Sequence, residues 1–375
     1  MFFTDAQLCA APGCASEMWS RAREKGLPLY DPATMRATFL WESDTAPEAV
    51  HVFINRVTDK ARFNDGFMHH VPGTRLWART LELPPTLKVS YGFAEFAARE
   101  EAVPRPPKND VYHRFYDPHS ALPPLIDSGS GTGLSTFYGQ LAGDSPWHHV
   151  VDFPDVSIET DTVANHQVKA YVPESARVAL LLFDGETWFP RLHLPEVFAQ
   201  LGLPVAIFTV FNKDTADRRH SLGANSEFLS AMLEWVHSRA AGSPVWVAGQ
   251  SLGGLSTLTA VAECGEQVSA ALAQSPSMWW VPGGKASPAD LSAPGMPWLS
   301  RRYAEIPAGG CRVTLQVGDH EDLSIPRVAQ LHGIMKARGW DTTFSVPAGG
   351  HDWTWWRDEL VAWVRGELIA LEAKA

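Results

Sequence analysis

The pentapeptide Gly249-Gln-Ser-Leu-Gly253 constrains this chain more than any other feature. It follows an apolar, strand-like run, Val245-Trp-Val-Ala248, and leads into a helical stretch, Gly253–Cys264. A G-x-S-x-G sequence in that setting is a nucleophile elbow, a tight strand-to-helix turn that lifts the serine above a sheet. The glycines have a physical reason. Side chains there would collide with the strand and helix being joined, and the serine itself is forced into a strained backbone conformation. The helix that starts at the turn favours negative charge at its N-terminus, where an attacked carbonyl oxygen becomes an anion. Ser251 is therefore the candidate nucleophile. The competing reading is an ordinary strand-turn-helix junction that happens to contain a serine.

The pattern around the elbow suits it. After about Val150, apolar runs alternate with helical stretches. The runs are Arg177–Phe183, Pro204–Phe211, Pro244–Gly249, Ala270–Gln274, Arg312–Val317 and Thr342–Val346. The helices are expected near Ser226–Arg239, Gly253–Cys264, Pro326–Arg338 and Thr354–Glu372. Such alternation predicts a mostly parallel sheet with helices on both faces, and with the elbow it reads as an α/β-hydrolase catalytic domain over residues 151–375. Ahead of it, Ala37–Trp41, His51–Asn55, Leu76–Leu83 and Leu87–Phe93 are short and rich in β-formers, separated by turn sequences such as Asn64-Asp-Gly66. They predict an all-β sandwich within residues 1–120, after a helix over Gln7–Lys25. Residues 121–150 read as a Pro/Gly/Ser-rich linker, continuing a composition that starts at Pro104-Arg-Pro-Pro107. The glycine run Ser128–Gly133 lacks the lysine of a phosphate loop and does not join a strand to a helix. A length of 375 residues accommodates two or three domains.

A serine hydroxyl needs an imidazole to take its proton, and in this fold the triad runs Ser, acid, His. His351, in Gly349-Gly-His351 after the last predicted strand, is the candidate base. The other histidines after Ser251 are His320 and His332, and His332 falls in a predicted helix. The acid should come from Val317-Gly-Asp-His-Glu-Asp322. The usual reach of three residues past the glycine selects Glu321, with Asp319 as the alternative and mere helix capping as the non-catalytic reading. The oxyanion hole takes the N–H of Leu252 and one from the loop Phe183–Trp188, assigned to Glu186.

Charge and composition narrow the class. Asp plus Glu number 42 against 31 Lys plus Arg, a net charge of −11, which argues against a nucleic-acid binder. No apolar run approaches the ~18–20 residues of a membrane span. The first residues lack a basic segment followed by an apolar one. The four cysteines show no metal-ligand spacing and are too few for a disulfide framework. A cytoplasmic protein with no membrane partner is expected.

Several segments together resemble the enterochelin (enterobactin) esterase family. They are Thr38–Trp41, Pro72–Trp77, Tyr91-Gly-Phe93, Asp117-Pro118, Asp184–Trp188, Gly249–Leu255, Gln274–Trp280 and Gly349–Asp352 with Trp355-Trp-Arg357. The resemblance spans nearly the whole chain. It implies an immunoglobulin-like N-terminal domain, an α/β-hydrolase domain, and hydrolysis of the seryl esters of ferric catecholate tri-lactone siderophores such as enterobactin, which frees iron in the cytoplasm. The family's acid falls on Glu321. One position departs: Arg218, Leu222 and Asn225 match the family, whereas Ser221 stands where glutamate is expected.

An anionic, three-ringed substrate calls for cations and flat aromatics. Arg218, with Lys213 and Arg219 nearby, and Trp188, Trp279, Trp280 and Trp353 in loops at strand ends, are the candidate contacts. The other reading of each tryptophan is core, and Trp41 and Trp77 are expected in the core of the sandwich. No cofactor or catalytic metal is expected, and iron would arrive only with the substrate. The sequence sets no oligomeric state. The rival functions are another ester hydrolase of this fold (a feruloyl or acetyl carbohydrate esterase, or an acyltransferase) and a non-catalytic aromatic-ligand binder.

Overall fold

A computed structural model describes residues 2–102, 114–127, 133–150, 152–284 and 286–373. The chain divides into two compact units, Met1–His149 with Ala348–Trp355, and Val150–Pro347 with Trp356–Ala375. The proline-rich stretch 104–107 and most of the glycine run, 128–132, lie outside the described residues. No described helix is long and apolar enough to cross a membrane.

The first unit opens with helices α1 (Asp5–Ala10) and α2 (Ala15–Lys25). Strands β1 (Leu29–Asp31), β2 (Arg36–Glu42), β3 (Ala49–Ile54), β4 (His69–His70), β5 (Leu76–Glu82), β6 (Lys88–Phe96), β7 (Ile126–Asp127) and β8 (Gly133–Tyr138) follow. They form two four-stranded sheets, ordered β1-β2-β5-β4 and β3-β6-β8-β7, with every pairing antiparallel. Phe39 and Trp77 from the first sheet share one core with Val52, Tyr91 and Phe93 from the second. Leu40, Leu76 and Ala78 point the other way and meet Leu8 and Trp19 of the two helices. Burial on both faces explains why Phe39 and Leu40 are adjacent apolar residues in one strand, where a half-exposed strand would alternate. Trp41 packs against the shared core, as expected.

Two expectations are corrected here. The unit is not all-β, because α1 and α2 cover the outer face of its first sheet. Residues 121–150 are not simply a linker, because β8 pairs with β6 from Lys88↔Tyr138 to Tyr91↔Ser135. Leu134-Ser-Thr-Phe137 supplies the β-formers, but the glycines and prolines on either side masked them.

The second unit is an eight-stranded sheet. Its elements in chain order are β9 (Ile158–Val163), β10 (His166–Tyr171), β11 (Val178–Leu182), α3 (Gly185–Trp188), α4 (Leu194–Gln200), β12 (Val205–Phe211), α5 (Thr215–Ser221), α6 (Ser226–Arg239), β13 (Val245–Gln250), α7 (Leu252–Cys264), β14 (Ala270–Gln274), α8 (Trp298–Glu305), β15 (Arg312–Gln316), α9 (Ile325–Ala337) and β16 (Thr342–Ser345). Helix α10 spans Trp353–Glu372. The strand order is β16-β15-β14-β13-β11-β12-β10-β9. The run from β12 to β16 is parallel, and β10 and β9 complete one edge antiparallel. Every residue of β11 and β13 is buried, as a sheet covered on both faces requires. One face packs with α6 and α7 through Leu229, Met232, Leu255 and Leu258. On the other, Trp246 of β13 meets Trp363 of α10 edge-on, with ring centres 5.5 Å apart. The six predicted strands and four predicted helices all appear. The edge strand β9 escaped prediction because its interior, Glu159–Thr162, is polar and exposed.

Candidate active site

Strand β13 ends at Gln250 and helix α7 starts at Leu252, so Ser251 is the whole turn. Its backbone has φ 57° and ψ −115°, a conformation that L residues rarely adopt. Hydrogen bonds hold it there: its N–H donates to Gln274 O at 3.0 Å, and its carbonyl accepts from Ser277 N–H at 3.0 Å and Leu255 N–H at 3.1 Å. A Cβ on Gly249 would lie 2.3 Å from Gly253 O, which is why that position is glycine. The serine hydroxyl sits 3.5 Å from Ser277 Oγ. Leu252 opens α7, so its N–H is one of the first-turn donors without an intrahelical acceptor.

Beneath the turn runs a chain of amides that sequence reading did not single out. Gln250, Gln274 and Gln316 stand in register at the ends of β13, β14 and β15. Gln250 Nε2 donates to Gln274 Oε1 at 2.8 Å, and Gln274 Nε2 donates to Gln316 Oε1 at 2.9 Å. Trp188 Nε1 donates to Gln250 Oε1 at 3.2 Å, and Gln274 Nε2 also reaches Trp356 O at 3.2 Å. Polar groups buried this deeply persist only when paired, so the ladder fixes the heights of three strand ends at once.

The loop after β14 joins the candidate nucleophile and the candidate acid. Ser277 contacts Ser251, and Ser275, two residues earlier, donates its Oγ–H to Glu321 Oε1. Glu321 is only 2% exposed and also accepts from Gly318 N–H at 3.1 Å. Ser275 Oγ in turn accepts from Trp356 Nε1 at 3.1 Å. Asp319, the alternative acid, is exposed and paired with the neighbouring His320. His332 lies on α9 against the Phe344 ring.

The loop after β11 carries Asp184 in the left-handed region (φ 62°) and then Glu186 on the short helix α3. Asp184 is 2% exposed and bound in two places by Arg218, Nε to Oδ1 at 2.6 Å and Nη2 to Oδ2 at 2.7 Å. Asn212 Nδ2 donates to both Asp184 Oδ1 and Glu186 Oε1 at 3.0 Å, and its N–H donates to Glu186 Oε2 at 3.1 Å. Burial, and then the adjacent Asp184 charge, push the Glu186 carboxyl above its ordinary range. The Glu186 side chain was expected to matter less than its N–H, yet it ties α3 to the segment after β12. Arg218, expected at the substrate, is committed to Asp184, an internal clamp whose partner the sequence spacing did not show. Ser221 Oγ donates to Asp217 O at 2.9 Å and lies 3.2 Å from Asn212 Oδ1, so it packs into the same network. Asn225 caps α6 through Phe228 N–H at 3.1 Å.

The aromatic candidates separate. Trp188 is fully buried and bonded to Gln250, which makes it a core residue with no face for a ligand. Trp280 is also buried, its indole donating to Gly223 O at 3.0 Å. Trp279 is half-exposed and lines a cavity of about 450 Å³ with Met278, Trp298, Arg301 and Arg327. The Arg219 guanidinium lies 5.6 Å from the Trp279 ring centre and 4.8 Å from that of Trp280. Met278 directly follows Ser277, so this cavity begins one residue from the group touching Ser251 Oγ. Lys213 is exposed.

His351 and Trp353 belong to the segment Ala348–Trp355, which clusters with the first unit. Both are half-buried. His351 N–H donates to Asn55 Oδ1 at 3.0 Å. The adjoining Asp352 is buried and accepts from Ser90 N–H at 3.1 Å, Ser90 Oγ at 2.5 Å and Thr354 N–H at 2.8 Å. Among the described residues no cluster of three or more His, Cys, Asp or Glu side chains is arranged to hold a metal ion.

Comparison with known proteins agrees with this architecture. The family model described as putative esterase matches residues 161–366, and the model for the N-terminal domain of enterochelin esterase matches residues 36–123. An iron(III) salmochelin esterase of Escherichia coli O6:H1 is 28% identical, and the match covers 92% of each chain. An iron(III) enterobactin esterase of Escherichia coli K12 is 26% identical over 86% of this chain and 89% of its own. Among solved structures, a ferric enterobactin esterase from Salmonella typhimurium superposes with a TM-score of 0.74 at 21% identity, covering 93% of this chain and 97% of its own. The enterobactin esterase of Shigella flexneri superposes with a TM-score of 0.71 at 23% identity, over the same shares. With an elbow serine on a mostly parallel sheet and both family models matched in order, the chain belongs to the enterochelin esterase family.

Proposed function

We propose that this protein is a serine esterase that cleaves the seryl ester bonds of a ferric catecholate tri-lactone siderophore of the enterobactin and salmochelin type, releasing iron in the cytoplasm. The observation that carries the reading is the strained Ser251 at the mouth of α7, in a chain matched over nine-tenths of its length by a salmochelin esterase. His351 takes the Ser251 proton as Oγ attacks the ester carbonyl. The Leu252 and Glu186 N–H groups receive the oxyanion. Glu321 orients the imidazole and stabilises its cation. His351 then protonates the departing seryl alkoxide, and water clears the acyl-enzyme. The cavity beside Trp279 suits a catecholate ring, and the Arg219 guanidinium over Trp279 and Trp280 suits its charge. Iron enters as substrate cargo. The first unit's paired sheets serve as an immunoglobulin-like domain.

The test is incubation with ferric and iron-free enterobactin, following dihydroxybenzoyl-serine products by liquid chromatography beside Ser251→Ala. Linear trimer, dimer and monomer should form with wild type, and Ser251→Ala should lose at least about 10⁴-fold in kcat. Intact enterobactin alongside rapid hydrolysis of p-nitrophenyl acetate would keep the nucleophile and discard the substrate.

A further inference from the structure

The catalytic histidine of a Ser-His-acid site must be aimed to within fractions of an ångström, and a displacement of about 1 Å can lower turnover about 100-fold. The loop that carries His351 is fixed by the first unit. The loop is gripped at both ends: Lys88 N–H donates to the Ala348 backbone O at 3.2 Å, and Ser90 gives two hydrogen bonds to the Asp352 carboxylate. Between them, the His351 N–H meets Asn55 Oδ1. The fit is tight, because a Cβ on Gly350 would lie 2.7 Å from Asn55 O and 2.9 Å from Asn55 Oδ1. Trp355 Nε1 closes the loop on Gly350 O at 2.6 Å.

Asn55 is itself held rigidly. It follows β3 at a turn in which Thr58, fully buried, accepts from Ile54 N–H at 2.7 Å and donates to Val52 O at 2.7 Å. Arg56, in the left-handed region at φ 62°, donates its N–H to Asp59 Oδ1 at 3.0 Å. The turn presents the Asn55 Oδ1 atom to the amide of the histidine.

Taking His351 as the base, as in the function proposed above, we infer that Asn55 and Ser90 are positioning residues for catalysis: the N-terminal β-unit sets the backbone of the histidine loop. Asn55 holds the His351 amide, and Ser90 holds the next side chain. Neither touches substrate.

The test uses the full chain with Asn55→Ala, Asn55→Asp and Ser90→Ala. Three readouts are taken: kcat and KM for ferric enterobactin, the same for p-nitrophenyl acetate, and the rate at which a fluorophosphonate probe labels Ser251. Asn55→Ala should lower kcat about 10- to 100-fold on both esters with KM within about twofold, and labelling should slow in parallel. Asn55→Asp keeps an oxygen at the Oδ1 position and should recover most of the loss. Ser90→Ala should reproduce the kcat effect in weaker form, and it carries the test if Asn55→Ala does not fold. A folded Asn55→Ala with wild-type kcat and labelling would overturn the inference, as would an Asn55→Asp protein equally impaired. Because acetate hydrolysis and labelling do not depend on the siderophore, failure on enterobactin alone leaves this comparison intact and strikes only the substrate reading.

Discussion

The Glu321 carboxylate accepts from Ser275 Oγ and Gly318 N–H and is shut away from water. An ionised carboxylate is acceptor-only, so donors on two sides suit it. Glu321→Gln preserves the shape but removes the charge proposed to stabilise the His351 imidazolium. It should lower kcat roughly 10³- to 10⁴-fold with KM little changed. Asp319→Asn, on an exposed group two residues away, should stay within about twofold of wild type in the same assay. The reverse ranking would transfer the acid role to Asp319. Sequence spacing favoured Glu321 but left Asp319 open, because two acids two residues apart differ in burial, which a linear pattern does not encode.

At the scale of elements, the loop from β11 into α3 is set by one ion pair whose carboxylate is buried. Arg218 forks onto Asp184 with two hydrogen bonds, a geometry that lysine cannot copy. Arg218→Lys should destabilise the second unit, by about 2–3 kcal/mol in denaturant melts, because it leaves a buried carboxylate half-satisfied. It should also lower kcat, since the Glu186 N–H, proposed as an oxyanion donor, moves with that loop. Pairing Arg218→Met with Asp184→Asn should cost less than the sum of the single changes. If KM for the siderophore rises while stability and kcat hold, Arg218 contacts substrate after all. The sequence showed Arg218 as a cation near the elbow, and nothing in its spacing linked it to a residue 34 positions earlier.

For the molecule as a whole, two buried groups of the first unit give opposing pH dependences. Burial pushes Asp117 up to about 6, partly offset by hydrogen bonds from His119 N–H and Tyr91 Oη. Between pH 4 and 6 the folded chain thus binds this proton more tightly than the unfolded chain, and stability falls as pH rises through that window. Burial pushes His51 down to about 4, its Nε2 meeting Phe63 O at 2.7 Å. There the unfolded chain binds the proton more tightly, so stability is lost as pH falls from 6.5 to 4. Each effect spans about 3 kcal/mol at most. Asp117→Asn should therefore gain stability relative to wild type as pH rises from 4 to 7, read by hydrogen exchange of β6 amides. A difference that stays flat across that range would mean Asp117 titrates normally.

The sequence by itself determined the parallel sheet, the elbow serine and the order of the triad candidates. Those rest on local pattern: runs of apolar residues, glycines where backbone crowds, and a fixed chain order. Tertiary structure alone decided which groups hold them. Asn55 meets the His351 amide across 296 positions, and Ser90 meets Asp352 across 262. Gln250, Gln274 and Gln316 become a ladder only once three strands share a register. Trp188 and Trp279 look alike as loop tryptophans, yet one is core and the other lines a cavity. Burial and long-range pairing arise from the way strands stack and loops close, and a residue's neighbours along the chain carry no record of either.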